Sequence, residues 1–213
     1  MRSTSAALRH NREQLDRGQD LTRSIKILAS LLAAAAVPAG FAFGQNVAAA
    51  EWTVVPESSA VTMYATKQGM WITGVFGEFS ARIDFDPQNP ASGRIIGVVA
   101  TVSVDTKDAQ NNAYVHGYLN VEEFPESRFE STTIEATADG FRATGQLDLS
   151  GHTNPVALDF TFTTGVQTST GSERAKLSGT MTINRFDFDI ASDIDVNTAG
   201  QDVIVQVELD LEP

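Results

Sequence analysis

Runs in which apolar and polar residues alternate recur about eight times between positions 59 and 211, and each run ends at Gly, Pro, Asn or Asp. A period of two residues places the apolar side chains on one face of a β-strand and the polar ones on the other. The final run is the cleanest, with one face formed by Val203, Val205, Val207, Leu209 and Leu211. Such strands hide their apolar faces either as two packed sheets or as a closed barrel, and a barrel encloses a lumen.

One segment interrupts this alternation. Over residues 108–119, Tyr114 and Tyr118 fall on one side at helical spacing, and Thr106 or Asp108 can cap the first turn. We therefore expect one short helix over residues 108–119, packed against the strands.

The first fifty residues lie outside the alternation and have the organisation of a secretory leader. Two basic residues precede an apolar, alanine-rich stretch over residues 27–43, and Ala48-Ala49-Ala50 has the small-x-small form that a signal peptidase accepts. The sequence predicts a signal peptide over residues 1–50, a single domain over residues 51–213 and export to the periplasm. An uncleaved membrane anchor is the alternative, because the apolar stretch is only slightly short for a membrane span.

The predicted mature domain is strongly acidic. The whole chain has a formal net charge of −12, and its first fifty residues carry more basic than acidic side chains, so the remainder is more negative still. A domain of this charge repels phosphate backbones and anionic lipid surfaces. We therefore expect no nucleic-acid partner and no stable membrane insertion once the leader is cleaved. A homodimer stays compatible with the sequence.

The residue types of the chain restrict its chemistry. It has no cysteine, which excludes disulfides, thiolate metal sites, a thiol nucleophile and a lipidated cysteine. The predicted mature domain contains two histidines, His116 and His152, and neither belongs to a recognisable catalytic motif. We expect a protein without catalytic residues, and an enzyme remains the alternative if either histidine lines the lumen beside a carboxylate.

Acidic residues close to position 190 invite a calcium interpretation, because hard cations prefer clustered oxygens. Asp193, Asp195 and Asn197 fit the start of an EF-hand loop. However, Thr198 stands where that loop needs glycine, and Ile204 stands where it needs a bidentate glutamate. We therefore predict no metal site.

Four pieces of the sequence occur in the order of one known family. Residues 145–158 resemble the hairpin motif G-x-L-x-(I/L)-x-G-x-T-x-P-V-x-L of the YceI-like family. Residues 118–131 and 183–190 are similar to two further motifs of that family, and Trp52 stands where a tryptophan often opens the domain. From Trp52 to Leu211 the chain thus resembles the polyisoprenoid-binding, lipocalin-like YceI proteins of bacterial periplasms.

This resemblance implies an all-β fold, an antiparallel eight-stranded lipocalin-like barrel with one short helix packed against it. It also implies an elongated apolar pore that accommodates an isoprenoid lipid or a quinone-like ligand, with no further cofactor. Two positions depart from the family pattern: Lys67-Gln68 replaces a common histidine, and Asp189 replaces a glycine. Both departures bear on which head group the ligand carries.

Large apolar side chains that face the predicted lumen are the candidate ligand-binding residues. Met63 and Met181 suit an irregular ligand, because methionine adapts its shape. We expect the pore to be lined by Met63, Phe79, Ile83, Phe129, Leu147, Leu149, Phe160, Phe162, Leu177 and Met181, with Tyr118, Phe124 and Phe186 near a mouth.

Three functions are compatible with these observations. The first is a periplasmic protein that sequesters or transports a polyisoprenoid or similar amphiphilic lipid. The second is an enzyme that acts on such a lipid. The third is a ligand-free stress or interaction module, since an eight-stranded barrel can also be filled entirely by its own side chains.

Overall fold

A computed structural model describes residues 51–167 and 173–213, so the predicted signal peptide lies outside the described residues. This part of the chain forms strands and one α-helix. In chain order the strands are β1 (Glu51–Val54), β2 (Ala60–Lys67), β3 (Met70–Phe76), β4 (Phe79–Asp84), β5 (Arg94–Ala100), β6 (Val104–Asp105), β7 (Glu126–Ala136), β8 (Phe141–Leu149), β9 (His152–Gln167), β10 (Glu173–Asn184) and β11 (Asp202–Glu212). The helix α1 (Ala109–Leu119) follows β6.

The strands form a closed ring in which every pairing is antiparallel. The ring order is β1-β4-β5-β7-β8-β9-β10-β11, and β1 pairs back with β11 to close it. Two further strands extend this ring: β2 pairs with β11 beyond β1, and β3 pairs with β2. The strands β1 and β2 therefore share one position in the wall, and so do β3 and β4. The structure confirms the predicted eight-stranded antiparallel barrel.

The two-residue period of the sequence is visible in the burial of the strands. In β8, Ala143, Gly145 and Leu147 are buried, whereas the residues between them are exposed. Gly145 is required by the backbone, because a Cβ atom at this position would overlap the carbonyl oxygen of Glu130 on β7. β7 carries a bulge immediately after that point, between Ser131 and Thr133.

Helix α1 confirms the predicted helical segment, with its first helical residue one position later than expected. Asp108 is the N-cap, and its Oδ1 accepts a hydrogen bond of 2.8 Å from the backbone N–H of Asn111. The helix ends at Leu119, and its C-cap Asn120 takes the left-handed conformation with φ 48°. Within the described residues, no helix has both the length and the apolar character needed to span a membrane.

Candidate ligand-binding cavity

One end of the barrel is closed by a cluster of aromatic rings. Phe85, the residue that follows β4, lies at its centre, with ring centroids 4.9 Å from Phe141, 5.3 Å from Phe160 and 5.0 Å from Phe162. The three pairs meet edge to face, the arrangement that aromatic quadrupoles favour. The indole N–H of Trp52 donates a 3.2 Å hydrogen bond to the carbonyl oxygen of Phe85 and so fixes its backbone. We call Trp52, Phe85, Phe141, Phe160 and Phe162 the aromatic plug.

Aliphatic side chains complete the packing at the closed end. Ile83 and Leu211 are fully buried, and Ala175 is 1% exposed. Phe85 itself is 1% exposed. This end of the barrel is therefore solid.

Towards the other end the barrel is hollow. The interior holds a cavity of about 260 Å³, whereas one water needs roughly 10–15 Å³ by a comparable measure. Its wall consists of inward-facing side chains from β2, β3, β4, β5, β7, β8, β9, β10 and β11, and these are overwhelmingly apolar. None of the residues of the aromatic plug lines it.

Small residues on β4 and β5 create part of this space. Gly97 and Ala81 are cross-strand partners, and both line the cavity. A Cβ atom built on Gly97 meets no other atom within 4 Å. The wall is therefore recessed at this point, where a larger residue would project into the cavity.

The structure brings eight of the thirteen predicted residues together on the cavity wall. They come from the barrel strands, with Tyr118 added from helix α1. The eight are Met63, Phe79, Tyr118, Phe129, Leu147, Leu149, Leu177 and Met181. Their role as ligand contacts stays a prediction.

The other five predicted residues lie away from the cavity. Ile83, Phe160 and Phe162 belong to the solid end, because the inward alternation of their strands continues past the point where the cavity stops. Phe124 packs against Gly151, whose Cβ position its ring closely approaches. Phe186 is 38% exposed, and the guanidinium carbon of Arg185 lies 4.0 Å from the centre of its ring.

Helix α1 bounds the hollow end. Tyr114 and Tyr118 line the cavity and are also 42% and 37% exposed to solvent, so the cavity opens beside them. We call this opening the mouth. Lys67, at the end of β2, donates a 3.0 Å hydrogen bond from Nζ to Oδ1 of Asn111, and its ammonium group lies 4.2 Å from the centre of the Tyr114 ring. The mouth therefore combines aromatic surface with a positive charge.

The segment between β10 and β11 forms the rim beside Lys67, where Lys67 and Ala199 form an isolated bridge. Arg185, which is 3% exposed, holds this rim segment. Its Nε donates to the carbonyl oxygen of Gly200 at 3.0 Å, and its Nη atoms donate to four further carbonyl oxygens of the segment between β10 and β11. Besides Arg185, five residues of this rim segment line the cavity: Ile190, Ala191, Thr198, Ala199 and Gly200. The buried guanidinium group thus helps to hold a loop whose strand pairing is limited to the isolated bridge between Lys67 and Ala199.

The backbone conformation of Asp189 explains why this residue can replace the glycine of the family pattern. Asp189 takes the left-handed conformation, with φ 53° and ψ 25°, at the end of the short 3-10 turn Arg185–Phe188. Glycine adopts this conformation without strain, and aspartate is among the few other residues that do so readily. The position where the family has glycine therefore keeps the glycine-like backbone.

The ionisable groups of the barrel contact one another mainly on its outer wall. Arg94 and Arg128 both donate to Glu130 and hold the pKa of its carboxyl below the usual range. Arg142 does the same for the pKa of Asp159, through bonds of 2.6 and 2.9 Å. The Arg94–Glu130 and Arg142–Asp159 pairs join neighbouring strands, whereas Arg128 and Glu130 both belong to β7. The cavity stays uncharged below its mouth.

Neither histidine lies on the cavity lining. His116 Nε2 is 3.2 Å from the carbonyl oxygen of Val104, and His152 Nδ1 is 3.1 Å from that of Ser150.

In the acidic segment near position 190, Asp195 accepts hydrogen bonds from the backbone and side-chain N–H groups of Asn197, which lower its pKa. Across residues 51–167 and 173–213, no three His, Cys, Asp or Glu side chains are grouped so that they could hold a metal ion.

Sequence reasoning missed several parts of the site. Gly97 carried a usable signal, because a glycine inside a strand rich in Ile and Val often marks a place where another molecule approaches. Lys67 and Arg185 lie in stretches that the family pattern singles out, but the pattern did not predict their partners, an amide of helix α1 and backbone carbonyls of the rim segment. The pattern therefore located the wall but not the rim.

Comparisons with known proteins agree with this architecture. Residues 52–211 match the sequence model of the YceI-like domain. A UPF0312 protein of Yersinia pestis (strain Pestoides F) is 34% identical over 140 residues, which make up 65% of this chain and 73% of the relative.

Two solved structures share the fold. BcnA of Burkholderia cenocepacia superposes with a TM-score of 0.66 at 24% identity, covering 74% of this chain and 98% of BcnA. A domain of Saccharophagus degradans, described as a polyisoprenoid binding domain implicated in plant cell wall breakdown, superposes with a TM-score of 0.52 at 14% identity and covers 78% of this chain and 98% of that domain. At these identities the likeness concerns the fold alone.

Proposed function

This chain belongs to the YceI-like domain family, and from that premise we propose that it is a binding protein that holds a polyisoprenoid or similar amphiphilic lipid in its barrel. The observation that carries the proposal is the apolar cavity beneath a polar mouth. The polyisoprenoid-binding description of the Saccharophagus degradans domain, which has the same fold, supports the same ligand class.

The physical basis is the transfer of an apolar tail out of water. Each methylene group that the cavity shields contributes about 0.8 kcal/mol to binding. Leu147, Leu177 and Met181 provide such a surface without directional hydrogen bonds, which suits a tail that has no polar atoms.

The mouth suits the polar end of an amphiphile. Lys67 and Tyr114 lie beside the opening, and the ammonium group of Lys67 has a third N–H donor direction that a head group can use. A lipid placed with its tail inside would leave its head group beside these side chains and in contact with water.

We further propose that the protein works in the periplasm and there sequesters or transports its lipid. The support is the leader-like pattern of residues 1–50, with its basic start, apolar stretch and Ala48-Ala49-Ala50 end. Cell fractionation of the producing bacterium tests this: the mature protein should appear in the periplasmic extract, with an N-terminus close to Glu51. Retention of the full chain in the membrane fraction would contradict it.

The central experiment combines identification and binding. Organic extraction of protein purified from its native host, followed by mass spectrometry, should release a prenyl lipid. Addition of geranylgeraniol to delipidated protein should raise its melting temperature, because a ligand that binds only the native state stabilises it.

Two variants control the experiment. Gly97→Phe fills the recess in the cavity wall and should abolish the thermal shift. Gly117→Phe adds the same ring at an exposed position of α1, where a Cβ atom meets nothing within 4 Å, and should retain it. An unchanged melting temperature in the unmodified protein would refute lipid binding and favour a ligand-free module.

A further inference from the structure

We infer that the aromatic plug sets an upper limit to the length of tail that this barrel binds, so that the protein is selective for short prenyl chains or the terminal units of longer ones. This inference rests on the proposed function and adds to it a measure of ligand length. It arises from the contrast between the hollow and the solid parts of one continuous barrel.

The plug is a barrier because its rings fill the cross-section and are locked in place. Phe85 is 1% exposed and meets three other rings at centroid distances of 4.9 to 5.3 Å. Its backbone is tied to Trp52 by a buried hydrogen bond. Gly93 lies so close to Phe85 that a Cβ atom there would be 2.9 Å from the ring, so the ring has no free space on that side either.

The depth of the cavity follows from the strand that runs along it. Val203 lies at the mouth end of β11, Leu209 is the deepest residue of this strand on the cavity wall, and the next inward residue, Leu211, is fully buried in the solid end. Six residues of a strand tilted by 35–45° span about 15 Å along the barrel axis. The floor at this depth consists of side chains that line the cavity and neighbour the plug, such as Leu177, the cross-strand partner of Phe162.

A tail longer than this depth must leave its remainder outside. The buried part gains about fourfold in affinity per methylene group, whereas the part beyond the mouth stays in water and gains nothing. Affinity should therefore rise with tail length and then stop rising, and the point where it stops measures the distance from the mouth to the plug.

The test is a length series of prenyl alcohols, farnesol, geranylgeraniol and the much longer solanesol, titrated calorimetrically into delipidated protein from a cyclodextrin carrier. We expect the dissociation constant to fall steeply from farnesol to geranylgeraniol and to change by less than about twofold from geranylgeraniol to solanesol. A continued steep fall to solanesol would overturn the length limit and leave lipid binding intact. Failure of all three alcohols to bind would refute the proposed function itself.

Two variants should move the limit in opposite directions. Phe85→Ala removes the centre of the plug, so solanesol should then bind more than about tenfold more tightly than geranylgeraniol. Gly97→Leu projects into the cavity from its wall, so the affinity should stop rising already at farnesol or below. Gly97→Leu also keeps the inference testable if Phe85→Ala does not fold.

Phe188→Ala is the matched control for the plug variant. Phe188 is 1% exposed, like Phe85, but it belongs neither to the plug nor to the cavity lining. The control should leave the length profile as in the unmodified protein. If Phe85→Ala folds and keeps that profile too, or if Phe188→Ala shifts the profile as far as Phe85→Ala does, the plug does not set the limit.

Discussion

The two ends of the barrel are built from the same alternating pattern and yet differ completely in their interiors. At the closed end, Phe85, Phe160 and Leu211 fill the space between the strands. At the hollow end, the partners Ala81 and Gly97 leave a recess in the wall. The contrast shows that alternation decides which side chains face inward, whereas their volumes decide whether a lumen remains.

The ends also differ in how their boundaries are stabilised. The closed end relies on ring packing, whereas the rim of the mouth relies on hydrogen bonds from the buried guanidinium group of Arg185 to backbone carbonyls. Removing volume from a packed interior leaves a void and lowers stability. Loss of the Arg185 hydrogen bonds should instead affect mainly the loop that they hold.

The largest expected difference between the ends is in the cost of deleting an aromatic ring. Phe85→Ala should lower the free energy of unfolding by about 3–5 kcal/mol, because the deletion leaves a void in a packed region. Phe79→Ala, on the partly exposed cavity wall, should cost only about 1–2 kcal/mol. Urea unfolding measures both values, and equal costs would contradict the distinction between the solid and hollow ends.

The second expected effect concerns the rim. Arg185→Gln should lower the free energy of unfolding by about 2–3 kcal/mol, since several charged hydrogen bonds to carbonyls are lost. Hydrogen exchange should accelerate at the amide of Gly200, which donates to Thr66, and not at amides of the closed end. Arg82→Gln, at an exposed arginine, is the control and should leave both quantities nearly unchanged. Uniform acceleration across the barrel would mean that Arg185 does not act locally.

The third prediction concerns replacement by alanine at two inward-facing glycines, which should change stability in opposite directions. Gly97→Ala should stabilise the protein by about 0.4–1 kcal/mol, because the new methyl group meets open space and the unfolded chain loses freedom. Gly145→Ala should destabilise it, because the methyl group would overlap the backbone of β7. Thermal unfolding distinguishes the two. A loss of stability at Gly97 would show that the recess is not free.

The smallest effect lies on the outer wall, near the closed end. Arg142 lowers the pKa of Asp159 in the folded protein, so their interaction contributes stability above the unfolded pKa of about 3.9 and loses it as pH falls through the lower folded value. The stability difference between the unmodified protein and Asp159→Asn should therefore be present at pH 7 and vanish at strongly acidic pH. Unfolding curves across this range measure it, and a difference that grows on acidification would contradict the pairing.

Local periodicity was sufficient for the individual strands and, with the cap Asp108, for helix α1. It left packed sheets and a closed barrel both open, and the barrel was predicted from the resemblance to the YceI-like family. The sequence was sufficient for only part of the cavity. Phe160 continues the inward alternation of Leu158, yet Leu158 lines the cavity and Phe160 belongs to the plug. The two residues lie at different positions along the barrel axis. Whether a position lies beside the cavity or the plug depends on strand tilt and on the location of Phe85, which is remote in sequence, rather than on neighbouring residues.

The closure of the ring has a consequence for how the chain folds. β1 pairs with β11 through Thr53 with Glu212 and Val54 with Leu211, which joins the two extremes of the described chain. Contacts this remote in sequence are slow to form, because a very long loop must close before they gain any stabilisation. During synthesis, β1 cannot pair with β11 until β11 has been made. Until then the barrel has an open edge, the seam, through which its apolar interior is exposed. A chaperone that shields this seam, or a delay of folding until translation ends, would protect the nascent barrel from aggregation.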